Sequence, residues 1–144
     1  MLRESVVTLL RVRWSLRGER DLDELFRRWE ASAAVPRGGR RRRPEDIART
    51  VESVQRIVGP RHDGCVPRAI AQYIICRRHG HPARFASGVL MANGRVTGHA
   101  WVTVHGVPVS PHDRRSPAVF RELFSYPRHM RSDQRASAPR SRCQ

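Results

Sequence analysis

Apolar positions follow a helical spacing in the first half of the chain and a strand spacing in much of the second. Over residues 2–16, Val6, Val7, Leu9, Leu10 and Val12 fit no single period, so either a helix or a buried strand pair is expected. Residues 21–31 predict a helix: Leu22, Leu25, Phe26 and Trp29 share a face, Asp21 is placed to cap it and Glu24 stands three on. Ala31 to Arg43 reads as a linker, with Pro36, Gly38, Gly39 and four consecutive arginines from Arg40. Pro44 suits a helix start, with Glu45 and Asp46 in the first turn. Ile47, Val51, Val54 and Val58 carry that helix to Gly59-Pro60.

The pattern then changes. Cys65 to Arg78 predicts a helix whose buried stripe is Val66, Ala69, Ile70, Tyr73 and Ile74, with Pro67 tolerated in its first turn and Gly80 ending it. Ala83 to Met91 and Thr97 to Val104 alternate as strands around an Asn93-Gly94 hairpin turn. His105-Gly106 makes a second turn into a short strand, Val107 to Ser110. Ser116 or Pro117 opens a short helix through Leu123. From Pro127 the chain is rich in Arg, Ser, Ala and Pro and reads as a loose tail. No internal repeat is present. The fold class expected is α+β, with a small antiparallel sheet packed on a central helix and further helices before it.

At 144 residues and 39% hydrophobic content, one domain with its own core is the natural reading. No apolar run is long enough to span a membrane. Met1 to Leu10 contains Glu4 and lacks a cleavage signature, so the cytoplasm is the expected location. Cys65, Cys76 and Cys143 do not make a disulfide framework. The formal charge is +15, and every basic residue is Arg. The excess is +5 over residues 1–60 and +10 over 61–144. Such a surface favours acidic peptides, nucleic acid or anionic membrane without choosing among them.

Candidate chemistry centres on Cys65. A helix N-terminus offers unclaimed N–H groups and a positive dipole end, which favour thiolate and could receive an oxyanion. His99, on the second strand beside Trp101, could act as its base. Asp113, one of four acids after residue 60, could return beside His99 and orient the ring. A small buried cysteine, a structural histidine and a loop-capping aspartate would satisfy the same spacing.

Three segments in order resemble one family: Cys65-Val66-Pro67-Arg68-Ala69-Ile70-Ala71, Arg77-Arg78-His79-Gly80-His81-Pro82-Ala83-Arg84-Phe85, and Gly98-His99-Ala100-Trp101-Val102. They are similar to the transglutaminase-like cysteine peptidases of lasso peptide biosynthesis, the stand-alone B2 leader peptidases. The resemblance implies a Cys-His-Asp triad. It carries over directly to Cys65 and His99. Asp113 is the candidate third member, with His112 or Ser110 as substitutes. The backbone N–H of Cys65 is the oxyanion donor available. The implied division is a helical region over 1–60 (Arg-rich linker about 31–43), a catalytic core over 61–126 and a basic tail over 127–144.

The resemblance also implies the substrate: the leader of a ribosomally made precursor peptide. No cofactor is implied. A separate small leader-binding protein of B1 type would be the partner. A separate ATP-using macrolactam synthetase would act next, and this chain has no P-loop. Neither membrane nor nucleic acid has a part. The Arg excess could face an acidic leader, an acidic patch on the partner, or only solvent. Trp14 and Trp29 fit core packing, with docking as the alternative.

Other classes leave weaker traces. The seven histidines (62, 79, 81, 99, 105, 112 and 129) form no compact ligand pattern with the cysteines, which argues against zinc. Arg40 to Arg43 and the tail suit nucleic acid by charge alone, with no recognition motif. Acyl transfer by the same triad, or a catalytically dead scaffold, would use the same fold.

Overall fold

The computed structural model describes residues 1–18, 21–33, 41–58 and 64–128. Five helices and four strands follow in order: α1 Leu2–Gly18, α2 Leu22–Ala33, α3 Pro44–Val58, α4 Cys65–Arg78, β1 Ala83–Ala92, β2 Arg95–Val104, β3 Val107–Pro108, α5 Ser116–Val119 and β4 Arg121–Tyr126. A 3-10 turn, Pro111–Asp113, stands between β3 and α5. The α+β class holds.

Helix α4 is the axis of the fold. Ala69 through Cys76 are all buried, polar Gln72 included. A helix enclosed on every side shows only a weak apolar stripe. It ends as Gly80 takes φ 75°, with the N–H of Gly80 bonding the Arg77 carbonyl. Helices α1, α2 and α3 supply Leu9, Val12, Phe26, Ile47, Val51 and Val54 to the same core. Residues 2–16 are thus helix, not a strand pair. Asp21 caps α2, accepting from the N–H of Asp23 at 2.9 Å and of Glu24 at 3.3 Å. Val58, expected on the buried face of α3, is exposed.

The sheet is antiparallel in the order β3-β2-β1-β4. Ala83 pairs with Val104 and Ala92 with Arg95, and Asn93 and Gly94 take φ 52° and 71° in the hairpin turn. Two strand expectations need correction. The third strand is only Val107–Pro108, because Ser110 leaves the sheet to cap the 3-10 turn. The helix expected from Ser116 to Leu123 stops at Val119, and Arg121–Tyr126 forms a fourth strand on β1. Its Tyr126 ring stacks on Phe26 at 4.9 Å, and Phe124 packs on Phe85 at 6.1 Å.

Part of the expected linker, residues 34–40, lies outside the described residues, as do Gly59-Pro60 and the tail from residue 129. Arg41 to Arg43 are described. Arg41 Nη2 donates to the Gly80 carbonyl at 3.0 Å and to His81 Nδ1 at 3.3 Å. The carbonyl of Arg42 accepts from His81 Nε2 at 2.6 Å. His81 is therefore a buried structural histidine, and part of the Arg run is anchored to the turn after α4. No helix among the described residues is long and apolar enough to cross a membrane.

Candidate active site

Cys65 is the first residue of α4, half-buried. Gly64 precedes it in extended backbone and offers no side-chain cap. The first-turn N–H groups are therefore not claimed by a capping side chain. Cys76 differs in every respect. It is fully buried, and burial, with Glu45 nearby, pushes its thiol up to about 12. Cys143 lies outside the described residues.

His99 stands on β2 opposite Gly88 of β1. Its ring lies 6.3 Å from Trp101 in a stacked pose and 5.1 Å from Phe120. Nε2 lies 2.8 Å from Asp113 Oδ1. A carboxylate only accepts, so Nε2 carries the proton and Nδ1 is the nitrogen left for other work. Asp113 has a side chain 1% exposed, and its position comes from the 3-10 turn. Ser110 begins that turn and its hydroxyl accepts from the His112 N–H at 3.2 Å. The same hydroxyl donates to Glu52 Oε1 of α3 at 2.5 Å. The two substitutes for Asp113 are thereby accounted for. Ser110 is engaged by Glu52, and His112 is largely exposed, 4.0 Å from Glu52 Oε2.

Sequence reasoning gave no role to Arg68 or Glu52. Arg68 Nη2 donates to Asp113 Oδ1 at 3.0 Å and to Oδ2 at 3.3 Å. Arg68 stands three residues after Cys65 in α4, so its Cβ and that of Cys65 lie about 5–6 Å apart on one face. A Cys-x-x-Arg spacing at a helix start is the only local signal of this. Gln72, one turn further, reaches Glu52 at 3.5 Å.

The remaining expectations divide. Trp29 is half-buried and edge-on to Phe26 at 5.7 Å. Trp14 was expected in the core and is 80% exposed instead. Its face of α1 has no covering element, because Ser5, Thr8, Leu9 and Val12 are the side turned inward. Beside it a groove of about 700 Å³ runs between α1 and α2. No group of three or more His, Cys, Asp and Glu among the described residues is arranged to hold a metal ion.

A family model described as the transglutaminase-like superfamily matches residues 6–125. No curated protein and no solved structure matches. The matched span starts in α1 and ends in β4, so it takes in the N-terminal helices as well as the Cys65, His99 and Asp113 positions.

Proposed function

The chain belongs to the transglutaminase-like superfamily, with which the lasso-peptide B2 proteins are associated, and we propose that it is a cysteine peptidase that removes the leader from a lasso precursor peptide. The observation that carries this reading is the His99–Asp113 hydrogen bond of 2.8 Å, on a fold whose half-buried cysteine opens the central helix.

The Cys65 thiolate attacks the carbonyl at the leader–core junction. The backbone N–H of Cys65 faces the developing oxyanion. His99, held at Nε2 by Asp113, gives a proton from Nδ1 to the departing amine, which becomes the core N-terminus. The C–N bond breaks and the leader remains as a thioester. Water, deprotonated by His99, then releases the leader acid and restores the thiol. Asp113 keeps the ring oriented and supports its charge.

The leader arrives on a separate small binding protein, and an acidic stretch of it lies in the groove between α1 and α2. Charge supports this: Arg11, Arg17 and Arg28 line the groove with Trp14 and Trp29, and no carboxylate does. A macrolactam synthetase would consume the freed amine.

The test is mass spectrometry of a candidate precursor incubated with this protein and its leader-binding partner, wild type beside Cys65→Ala and His99→Ala. One cut, lost in both variants, is the expected result. No cut, in a mixture where the partner demonstrably holds the leader, overturns the peptidase. Transfer of the leader to an added amine in place of water would mark acyl transfer.

A further inference from the structure

Asp113 has more partners than an orienting carboxylate requires. Its Oδ1 accepts from both His99 Nε2, at 2.8 Å, and Arg68 Nη2, at 3.0 Å. Arg68 comes from α4 and His99 from β2, while Asp113 itself sits on the 3-10 turn. One carboxylate therefore joins three separate elements. The Arg68 side chain is 17% exposed, and its Nε is buried without a partner among the described residues.

Stability alone is a poor account of this arrangement. A buried ion pair seldom outperforms a well-packed apolar pair, and the unpartnered Nε adds a cost. What only a guanidinium at this position supplies is a rigid forked link from the first turns of α4 to the Asp113 carboxylate. The link starts three residues from Cys65 and ends on the group that holds His99. The other end of the turn is already pinned, because Glu52 of α3 holds Ser110 at 2.5 Å. Arg68 fixes the end that carries the carboxylate.

We infer that Arg68 is a positioning residue: it sets Asp113, and through it the His99 ring, relative to Cys65. The inference rests on the Cys-His-Asp reading above. It makes Arg68 a part of the chemistry that touches neither substrate nor thiol. Displacements near 1 Å are enough to cost about 100-fold in rate, which sets the scale expected of its loss.

The test uses the full chain with Arg68→Met, Arg68→Lys, Asp113→Asn and the Arg68→Met/Asp113→Asn double variant. Two rates are read below each variant's unfolding transition. One is precursor cleavage, resolved into kcat and KM. The other is alkylation of Cys65 by iodoacetamide, followed by the mass of the peptide that contains it, which needs no substrate. Arg68→Met is expected to lower kcat about 100-fold with KM within about twofold, and to slow alkylation about tenfold. Arg68→Lys, which keeps the charge but not the fork, is expected to fall between. The double variant is expected to be no slower than Asp113→Asn alone, because Arg68 acts through that carboxylate.

Wild-type rates in folded Arg68→Met, with only a lower unfolding temperature, would overturn the inference in favour of a purely structural pair. Losses that multiply in the double variant would overturn it too, by placing Arg68 on another path. Should Arg68→Met not fold, Arg68→Lys decides: unchanged rates overturn the inference, and a fall in kcat and alkylation supports it. Equal alkylation in wild type and His99→Ala would instead overturn the Cys-His reading itself, and that result is separate from the Arg68 comparison.

Discussion

His99 and Asp113 are 14 residues apart in the chain, yet His99 Nε2 and Asp113 Oδ1 meet at 2.8 Å. The hydrogen bond depends on two unrelated local events. Strand β2 presents the ring, and the Ser110-capped turn brings back the carboxylate.

Asp113→Asn should therefore damage both stability and rate. The two groups on Oδ1 are both donors, Arg68 and His99. An amide has one accepting end, and its NH₂ end would meet a donor. The expected cost is about 1–3 kcal/mol of stability for one unsatisfied buried polar group. Turnover is expected to fall about 10²–10⁴-fold, as when an orienting carboxylate no longer holds its imidazole. Urea denaturation and steady-state cleavage measure the two. An unchanged rate would remove Asp113 from the mechanism.

Gly88→Ala tests the approach of β4. A Cβ on Gly88 would lie 2.5 Å from the Arg121 carbonyl oxygen and 2.9 Å from its carbon. Both are backbone atoms, so no side chain can move aside. Gly88 also sits at the irregularity in the β1–β4 register, opposite His99. The substitution is expected to destabilise by about 1–3 kcal/mol, the range for overpacking. It should also shift Phe120, the residue before β4, whose ring lies 5.1 Å from His99. A denaturation midpoint equal to wild type would show that β4 does not approach this closely.

The parts of this site differ in how far local sequence could foretell them. Helix α4 was expected over the same residues, Cys65 to Arg78, because a cysteine after glycine, a first-turn proline and a closing glycine are all local signals. Strand β4 was not foreseen. Phe120, Leu123 and Phe124 recur at three and four residues and imitate a helix, while the alternation that matters, Phe124 and Tyr126, is one pair long. Pairing with β1 decided it, and pairing is a tertiary matter. The same holds for Arg68. Its partner is 45 residues away, and no periodicity encodes that contact. Trp14 misled for another reason: α1 is apolar on two faces, and only one of them meets the core.

Stability at alkaline pH should report Cys76. Its thiol is raised to about 12, first by burial and then by Glu45, whereas an unfolded thiol titrates near 8.5. Below that pH both states hold the proton and the contribution is complete. As pH rises above it, the unfolded chain releases the proton and the folded chain does not, so stability falls until the folded thiol titrates. Tyr126, also raised to about 12 by burial and by its hydrogen bond to Glu30, adds to the loss only from about pH 10. Between pH 8 and 10 the urea midpoint is therefore expected to drop, and to drop less in Cys76→Ala. Parallel curves for the two proteins would show that Cys76 is not protected from ionisation.

The groove between α1 and α2 should act on substrate affinity and not on the fold. Trp14 is 80% exposed there and Leu10 is 48% exposed, so neither carries the core. Exposed substitutions of this kind usually move stability by less than about 0.5 kcal/mol. Reversing Arg11 and Arg17 to Glu in one variant removes two positive charges from the lining and adds two negative ones. If an acidic stretch of the leader lies against them, KM for the full precursor rises, by about tenfold or more at low salt. The effect must shrink as salt is added, because exposed charges are screened over about 10 Å at 0.1 M. Cys65 alkylation and the unfolding temperature stay at wild-type values, since Arg11 and Arg17 are remote in sequence from α4 and outside the core. Trp14→Ala should raise KM with little salt dependence, because its contribution is apolar. A KM unmoved by charge reversal at low salt would place the leader elsewhere and leave the Arg face to solvent.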